Sequence, residues 1–330
     1  MTDQPNEATP LASPPPPERK TLTSSSGFDL IGDLYRAESD AWIIMLHGGG
    51  QTRHAWGGTA IALRNDGWNV FAYDQRGHGD SDWSPSGDYG MLAFSDDLMA
   101  VGEQLGASAP VTVGASLGGI ATMVAAHRHP DLLAGAVLVD IAPRMEPTGL
   151  ARIIGFMTAY PDGFDSLQDA ADVIAGYTGR QRSSNVDGLA KVLRQRDGRW
   201  VWHWDPRFIS GHGAVVDDRE TAIEQAGKFN ESLIEAARAL TCPTLLVRGQ
   251  QSDLLSEQGA RELLDLLPHA EYVDVTHAGH MVAGDRNDVF TDAVRSFVNT
   301  LAPAPAPAPR SRTTHDPARE RSADPAGNAR

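Results

Sequence analysis

Gly114-Ala115-Ser116-Leu117-Gly118 decides how this chain is read. The stretch has the form Gly-x-Ser-x-Gly. It lies between an apolar, strand-type run (110–113) and a helix-type run (117–127). A serine on a sharp strand-to-helix turn is held out of the sheet, with its hydroxyl exposed above a helix N-terminus. The flanking glycines suit a tight turn against which a neighbouring backbone passes closely. With 33 glycines in 330 residues, about 0.2 such matches would arise by chance. The weight of the pentapeptide therefore comes from its surroundings.

Outward from Ser116, strand-like and helix-like runs alternate. A hairpin is expected from 21–23 and 28–35, either side of Ser24-Ser25-Ser26-Gly27. Strands are expected at 42–46, 70–73, 111–113, 135–140, 244–248 and 272–275, and helices at 60–65, 92–105, 256–267 and 287–301. Short, continuously apolar strands separated by helices imply an α/β fold: a mostly parallel twisted sheet covered by helices on both faces. The alternation breaks over 141–240. A stretch of that length is too long for a loop in a compact domain, so it reads as an inserted, mostly helical lid carrying Trp200, Trp202 and Trp204. The core is expected at 21–140 and 241–301. Segments 1–20 and 302–330 are rich in Pro, or in alternating Ala and Pro, and are expected to be disordered.

Net charge is −15. An acidic body repels phosphate backbones, which argues against a nucleic-acid partner. Cys242 is the only cysteine, so no intramolecular disulfide forms. No signal-peptide layout is present, and no apolar run approaches the roughly 20 residues of a membrane span. A cytoplasmic protein is expected.

A serine hydroxyl is a weak nucleophile at neutral pH and needs a base within hydrogen-bond reach. Histidine suits that task, and a carboxylate then sets its tautomer. In doubly wound sheets such groups gather after the carboxyl ends of strands. Two histidines follow the 272–275 strand, His277 and His280. His280, after Ala278-Gly279, is the expected base. For the acid, Asp253 follows the 244–248 strand in the order serine, acid, histidine. Asp140, at the end of Val137-Leu138-Val139, is the alternative, and Asp253 has the alternative role of a helix cap. The oxyanion needs two backbone N–H donors. Leu117 is expected to supply one and Gly49, in His47-Gly48-Gly49-Gly50-Gln51, the other, with Gly50 as alternative. His47 is expected to brace that loop. Gln51, Trp204 and Met281 are candidate substrate contacts, and Arg53 is a weaker one. His127 and His129 lack a third ligand, so no metal is expected. No Gly-Lys-Ser/Thr follows the three glycines, which excludes a phosphate loop. No cofactor is expected.

Taken together, His47-Gly-Gly-Gly, Asp74-Gln-Arg-Gly-His-Gly-Asp-Ser81, Gly114-x-Ser116-x-Gly118, Gly249…Asp253 and Gly279-His280 occur in the order found in α/β-hydrolase fold enzymes. Over roughly 21–301 the chain resembles the group containing haloperoxidase-like esterases, lactonases and epoxide hydrolases. The resemblance implies that Asp74, Arg76 and His78 form a structural turn, with Asp74 and Arg76 paired to backbone or to each other. Epoxide hydrolases and haloalkane dehalogenases carry aspartate at the elbow, whereas this chain has Ser116, so acyl transfer is expected instead. The expectation is a serine hydrolase of a small-molecule carboxylic ester or lactone through an acyl-enzyme. A C–C bond hydrolase, a perhydrolase and a non-catalytic ligand receptor are the alternatives.

Overall fold

Residues 42–46 show why the sheet is buried on both sides. In β3 (Trp42–Leu46), Ile43 and Met45 point to one face and Ile44 and Leu46 to the other, and all four are buried. The period of two comes from the pleat. In β4 (Asn69–Tyr73), Val70 and Ala72 share the first face, and Phe71 and Tyr73 the second. Neither face is left for water, so both must be covered.

The computed structural model describes residues 15–179, 186–210, 219–282 and 287–301. An eight-stranded sheet runs in the order β1-β2-β4-β3-β5-β6-β9-β10. Its remaining strands are β1 (Glu18–Thr23), β2 (Asp29–Tyr35), β5 (Val111–Ala115), β6 (Gly135–Val139), β9 (Thr244–Gly249) and β10 (Glu271–Val275). The β1–β2 and β2–β4 pairs are antiparallel, and the others are parallel. The opening hairpin reaches further back than expected. Glu18, Arg19 and Lys20 pair with Leu34, Asp33 and Gly32, so the first strand begins inside the segment read as disordered. A short charged edge strand carries no apolar signal of its own, because its outer side faces solvent. Residues 1–14 and 302–330 lie outside the described residues.

Helix α1 (Gly57–Asn65) and the closing helix α9 (Asn287–Val298) cover one face, where Trp56, Leu63, Phe290 and Val294 are buried together. The other face is covered by α2 (Met91–Leu105) and α3 (Leu117–Arg128), and further along by α8 (Glu257–Leu266).

The stretch between β6 and β9 is more varied than a helical lid. It contains α4 (Pro147–Thr158), α5 (Leu167–Thr178), a two-stranded ribbon of β7 (Leu193–Arg196) and β8 (Arg199–Trp202), the short α6 (Arg207–Ser210) and α7 (Arg219–Arg238). The alternating tryptophans belong to that ribbon and its exit. Leu233, Ala236 and Ala237 of α7 are buried with residues of α3 and α8, so the end of α7 covers the sheet. Among the described residues, no helix is long and apolar enough to cross a membrane.

Candidate active site

Ser116 stands between β5 and α3 with φ +46° and ψ −109°. That backbone conformation is uncommon for a residue with a side chain, and such strain collects at functional turns. Two features hold it. The Ser116 N–H donates to the Val139 carbonyl (3.0 Å), and Ile120 N–H donates to the Ser116 carbonyl (3.0 Å). The glycines are required sterically. A Cβ on Gly114 would come 2.4 Å from the Gly118 carbonyl oxygen, and one on Gly118 would come 2.3 Å from that of Leu46.

The histidine and the acid meet across three parallel strands. His280, in the loop after β10, places Nδ1 2.7 Å from Oδ2 of Asp140. Asp140 follows β6 directly, has φ +51° and is fully buried. Its carboxylate accepts two further bonds, from the Ser252 hydroxyl to Oδ2 (2.5 Å) and from Gly249 N–H to Oδ1 (2.9 Å). With the Nδ1 proton directed at Asp140, Nε2 is the ring atom left to act as a base. His277, by contrast, is exposed in a turn with φ +60°.

Asp253 therefore does not occupy the position expected of it. Its carboxylate bonds Arg152 of α4 at 2.7 Å, and its side chain is 36% exposed. The reason lies in the turn after β9. Ser252 N–H closes that turn on the Gly249 carbonyl (2.9 Å), and Gln251 N–H donates to the Ala278 carbonyl (2.8 Å). This turn aims Ser252 at Asp140 and leaves Asp253 facing α4. Helix α4 lies so close there that a Cβ on Gly149 would come 2.1 Å from the Asp253 carbonyl oxygen. Sequence order could not separate the two acids, since both fall between Ser116 and His280. The available signal was an aspartate directly following the strand that comes next in sequence after the one before Ser116. Ser252 carried no signal of its own.

The glycine loop lies against the elbow. Gln51 N–H closes a turn on the Gly48 carbonyl (3.0 Å), with Gly50 at φ +73°. This is the geometry of a type II turn, which needs a left-handed third residue. The Gln51 side chain accepts from Gly48 N–H (3.0 Å) and reaches Sδ of Met281 (2.7 Å). Gly49 N–H has no hydrogen-bond partner among the described residues. The Leu117 N–H belongs to the first turn of α3, where N–H groups lack intrahelical acceptors. A Cβ on Gly48 would sit 3.5 Å from Cβ of Ser116. Since Met281 follows His280, the elbow, the glycine turn and the histidine loop lie side by side. Met157 and Phe208 pack on Gly49, and Met157 and Trp204 on Gly50, forming an apolar wall from the stretch between β6 and β9. Trp204 is buried and stacks on Trp202, with ring centroids 4.6 Å apart.

The neighbouring polar groups serve the scaffold. His47 is buried; its Nδ1 donates to the Gly48 carbonyl (2.8 Å), and Nε2 accepts from Gln75 N–H (2.9 Å). Burial lowers its pKa to about 4, and that of His78 to about 3, so both rings are neutral near pH 7. Asp74 and Arg76 do not pair with each other. Asp74 holds Arg53, and Arg76 holds Asp97 with two bonds of 2.7 Å. Arg53 is thus buried in an ion-pair network with Asp33, Asp74 and Asp80 and lacks the exposure expected of a substrate contact. His127 and His129 are exposed, and among the described residues no group of three or more metal-ligating side chains forms a metal site.

Comparison with known proteins agrees with this architecture. The chain is 32% identical over 266 residues to esterase Rv0045c of Mycobacterium tuberculosis, covering 78% of this chain and 83% of that protein. It is 30% identical over 265 residues to the sn-1-specific diacylglycerol lipase ABHD11 of Mus musculus, covering 78% and 80%. A crystal structure of an alpha/beta hydrolase from Novosphingobium aromaticivorans superposes with a TM-score of 0.68 at 27% identity, covering 86% of this chain and 97% of that one. The family model described as alpha/beta hydrolase fold matches residues 41–286. With the sheet order, the strained serine elbow and this match in agreement, the chain belongs to the alpha/beta hydrolase fold family.

Proposed function

We propose that this protein is a serine hydrolase of carboxylic esters, lactones included, working through an acyl-enzyme on Ser116. The observation that carries this reading is the 2.7 Å bond between His280 and the buried Asp140, beside a serine at φ +46°. In the reaction, Ser116 Oγ attacks the substrate carbonyl carbon as His280 Nε2 takes its proton. Asp140 keeps the Nδ1 proton in place and stabilises the imidazolium that forms. The tetrahedral oxyanion receives hydrogen bonds from the N–H groups of Leu117 and Gly49. Collapse breaks the ester C–O bond, and His280 returns the proton to the leaving alcohol. Water then attacks the acyl-enzyme with His280 as base, releasing the acid and restoring Ser116.

The wall of Met157, Trp204 and Phe208 over the glycine turn favours an apolar acyl group, since it offers no charge partner. The similarity to an esterase and a lipase supports ester chemistry. The test is covalent labelling with a fluorophosphonate, together with hydrolysis of a panel of p-nitrophenyl esters and lactones. Wild type is expected to label and turn over, and Ser116→Ala to do neither. A folded wild type that neither labels nor hydrolyses any panel member would overturn the reading.

A further inference from the structure

Three consecutive glycines form the turn that carries the Gly49 N–H. Such a segment has no side chains to hold it and loses much backbone freedom when ordered. Its position must be set from outside. Gln51 holds one end through Gly48 N–H. The other end is held from the lid. His203 follows β8 and is almost fully buried. Gly79 N–H donates to its Nδ1 at 2.7 Å, so the lone pair is on Nδ1 and the proton on Nε2. That Nε2–H faces the Gly50 carbonyl at 3.3 Å. The lid segment is itself clamped to the turn after β4. Asp205 N–H donates to the Gly77 carbonyl (2.9 Å), and the Tyr89 hydroxyl to Asp205 (2.6 Å).

We propose that His203 is a positioning residue of the lid that sets the oxyanion turn through Gly50, so that the oxyanion site is complete only with the lid segment docked. This rests on the acyl-transfer reading above. The consequence is specific. A ground-state carbonyl makes less use of the Gly49 N–H than the oxyanion does, so displacing the turn lowers kcat more than it raises KM. Displacements near 1 Å cost on the order of 100-fold in rate.

Two variants separate the bonds of His203. In His203→Asn, the amide oxygen can take the place of Nδ1 and accept from Gly79, but the side chain stops short of Gly50. In His203→Gln, the longer amide can donate to Gly50. Ester kinetics, fluorophosphonate labelling rates, thermal unfolding and hydrogen exchange over residues 48–51 are compared in the full chain. For His203→Asn we expect kcat to fall roughly 10-fold or more, KM to change little, unfolding to be near wild type, and exchange of the turn to quicken. For His203→Gln we expect kcat and exchange to return most of the way to wild type. Wild-type kcat and exchange in His203→Asn would overturn the proposal. So would a loss of kcat matched by loss of fold and unrelieved in His203→Gln. A wild type that neither labels nor hydrolyses, with exchange altered in His203→Asn, overturns the acyl-transfer reading and the catalytic consequence of this proposal. The structural link from His203 to the turn would still stand.

Discussion

Replacing Asp140 by Asn tests the arrangement of the site most directly, because the two oxygens of Asp140 have different partners. Oδ1 accepts from Gly249 N–H, while Oδ2 accepts from His280 and from Ser252. An asparagine has one oxygen and one NH2. Gly249 N–H is a backbone donor fixed in place, whereas the Ser252 hydroxyl, which itself accepts from Leu254 and Leu255 N–H, can rotate its proton away. The amide oxygen therefore turns toward Gly249 and the NH2 toward His280. The opposite orientation would set NH2 against a buried N–H, which costs roughly 1–3 kcal/mol for the unsatisfied group. Facing NH2, His280 Nδ1 must accept, so its proton moves to Nε2. The base then has no lone pair for Ser116. A wrong-tautomer defect of this kind costs about 10⁴-fold, or about 5.5 kcal/mol in activation free energy. Asp253→Asn is the matched control. It weakens only an ion pair with Arg152 whose partners are 36% and 54% exposed. Such a pair contributes at most about 1 kcal/mol, and the rate should stay within about threefold. The assay is kcat/KM on the best p-nitrophenyl ester, with folding checked by circular dichroism and thermal unfolding. A folded Asp140→Asn within about tenfold of wild type, alongside an inactive Asp253→Asn, would refute the assignment of the acid.

Two further outcomes follow from the scaffold. Burial lowers His47 to about 4, lowers His78 to about 3 and pushes His203 well below its usual value. An unfolded histidine takes a proton near pH 6.5 while these buried rings stay neutral, so their stabilisation is complete above that pH. It is lost as the pH falls from about 6.5 toward 4, and His47 alone contributes on the order of 3 kcal/mol. The melting temperature should therefore drop steeply over that window, and an unchanged value from pH 7 to 4.5 would contradict the neutral buried assignment. Gly118→Ala should prevent the elbow from forming, because its Cβ would meet the Leu46 carbonyl oxygen at 2.3 Å. The obstacle is the Leu46 backbone itself, which is held in β3 and cannot swing aside as a flexible side chain would. A soluble Gly118→Ala protein with wild-type melting temperature and labelling rate would show that steric reading to be mistaken.

Much of this molecule was legible in local signals. Apolar strands a few residues long, each followed by helical spacing, specified a mostly parallel sheet covered on both faces, because burying both faces removes the polar alternation. Tight-turn chemistry pointed to Ser116, to the glycine turn and to the loop of His280. The hairpin strand at Glu18 was missed because an edge strand can be polar on its outer side. The end of α7 was taken into the lid because a helix covering the sheet and a helix covering the site show the same periodicity.

What the chain determines by itself is thus the set of turns that present Ser116, His280 and the glycine segment around Gly49. Each is encoded within a few residues by glycine sterics and strand length. Which acid stands beside His280 was decided only in three dimensions. Asp140 and Asp253 both follow strands and both lie between Ser116 and His280 in sequence. The sheet order sets β6 between β5 and β9, which brings Asp140 beside the elbow and within 2.7 Å of His280. The turn after β9 sends Asp253 outward to Arg152. The bond from His203 to Gly50 likewise joins residues 153 positions apart. Contacts of that range depend on strand neighbours and backbone direction, which no local stretch of sequence encodes.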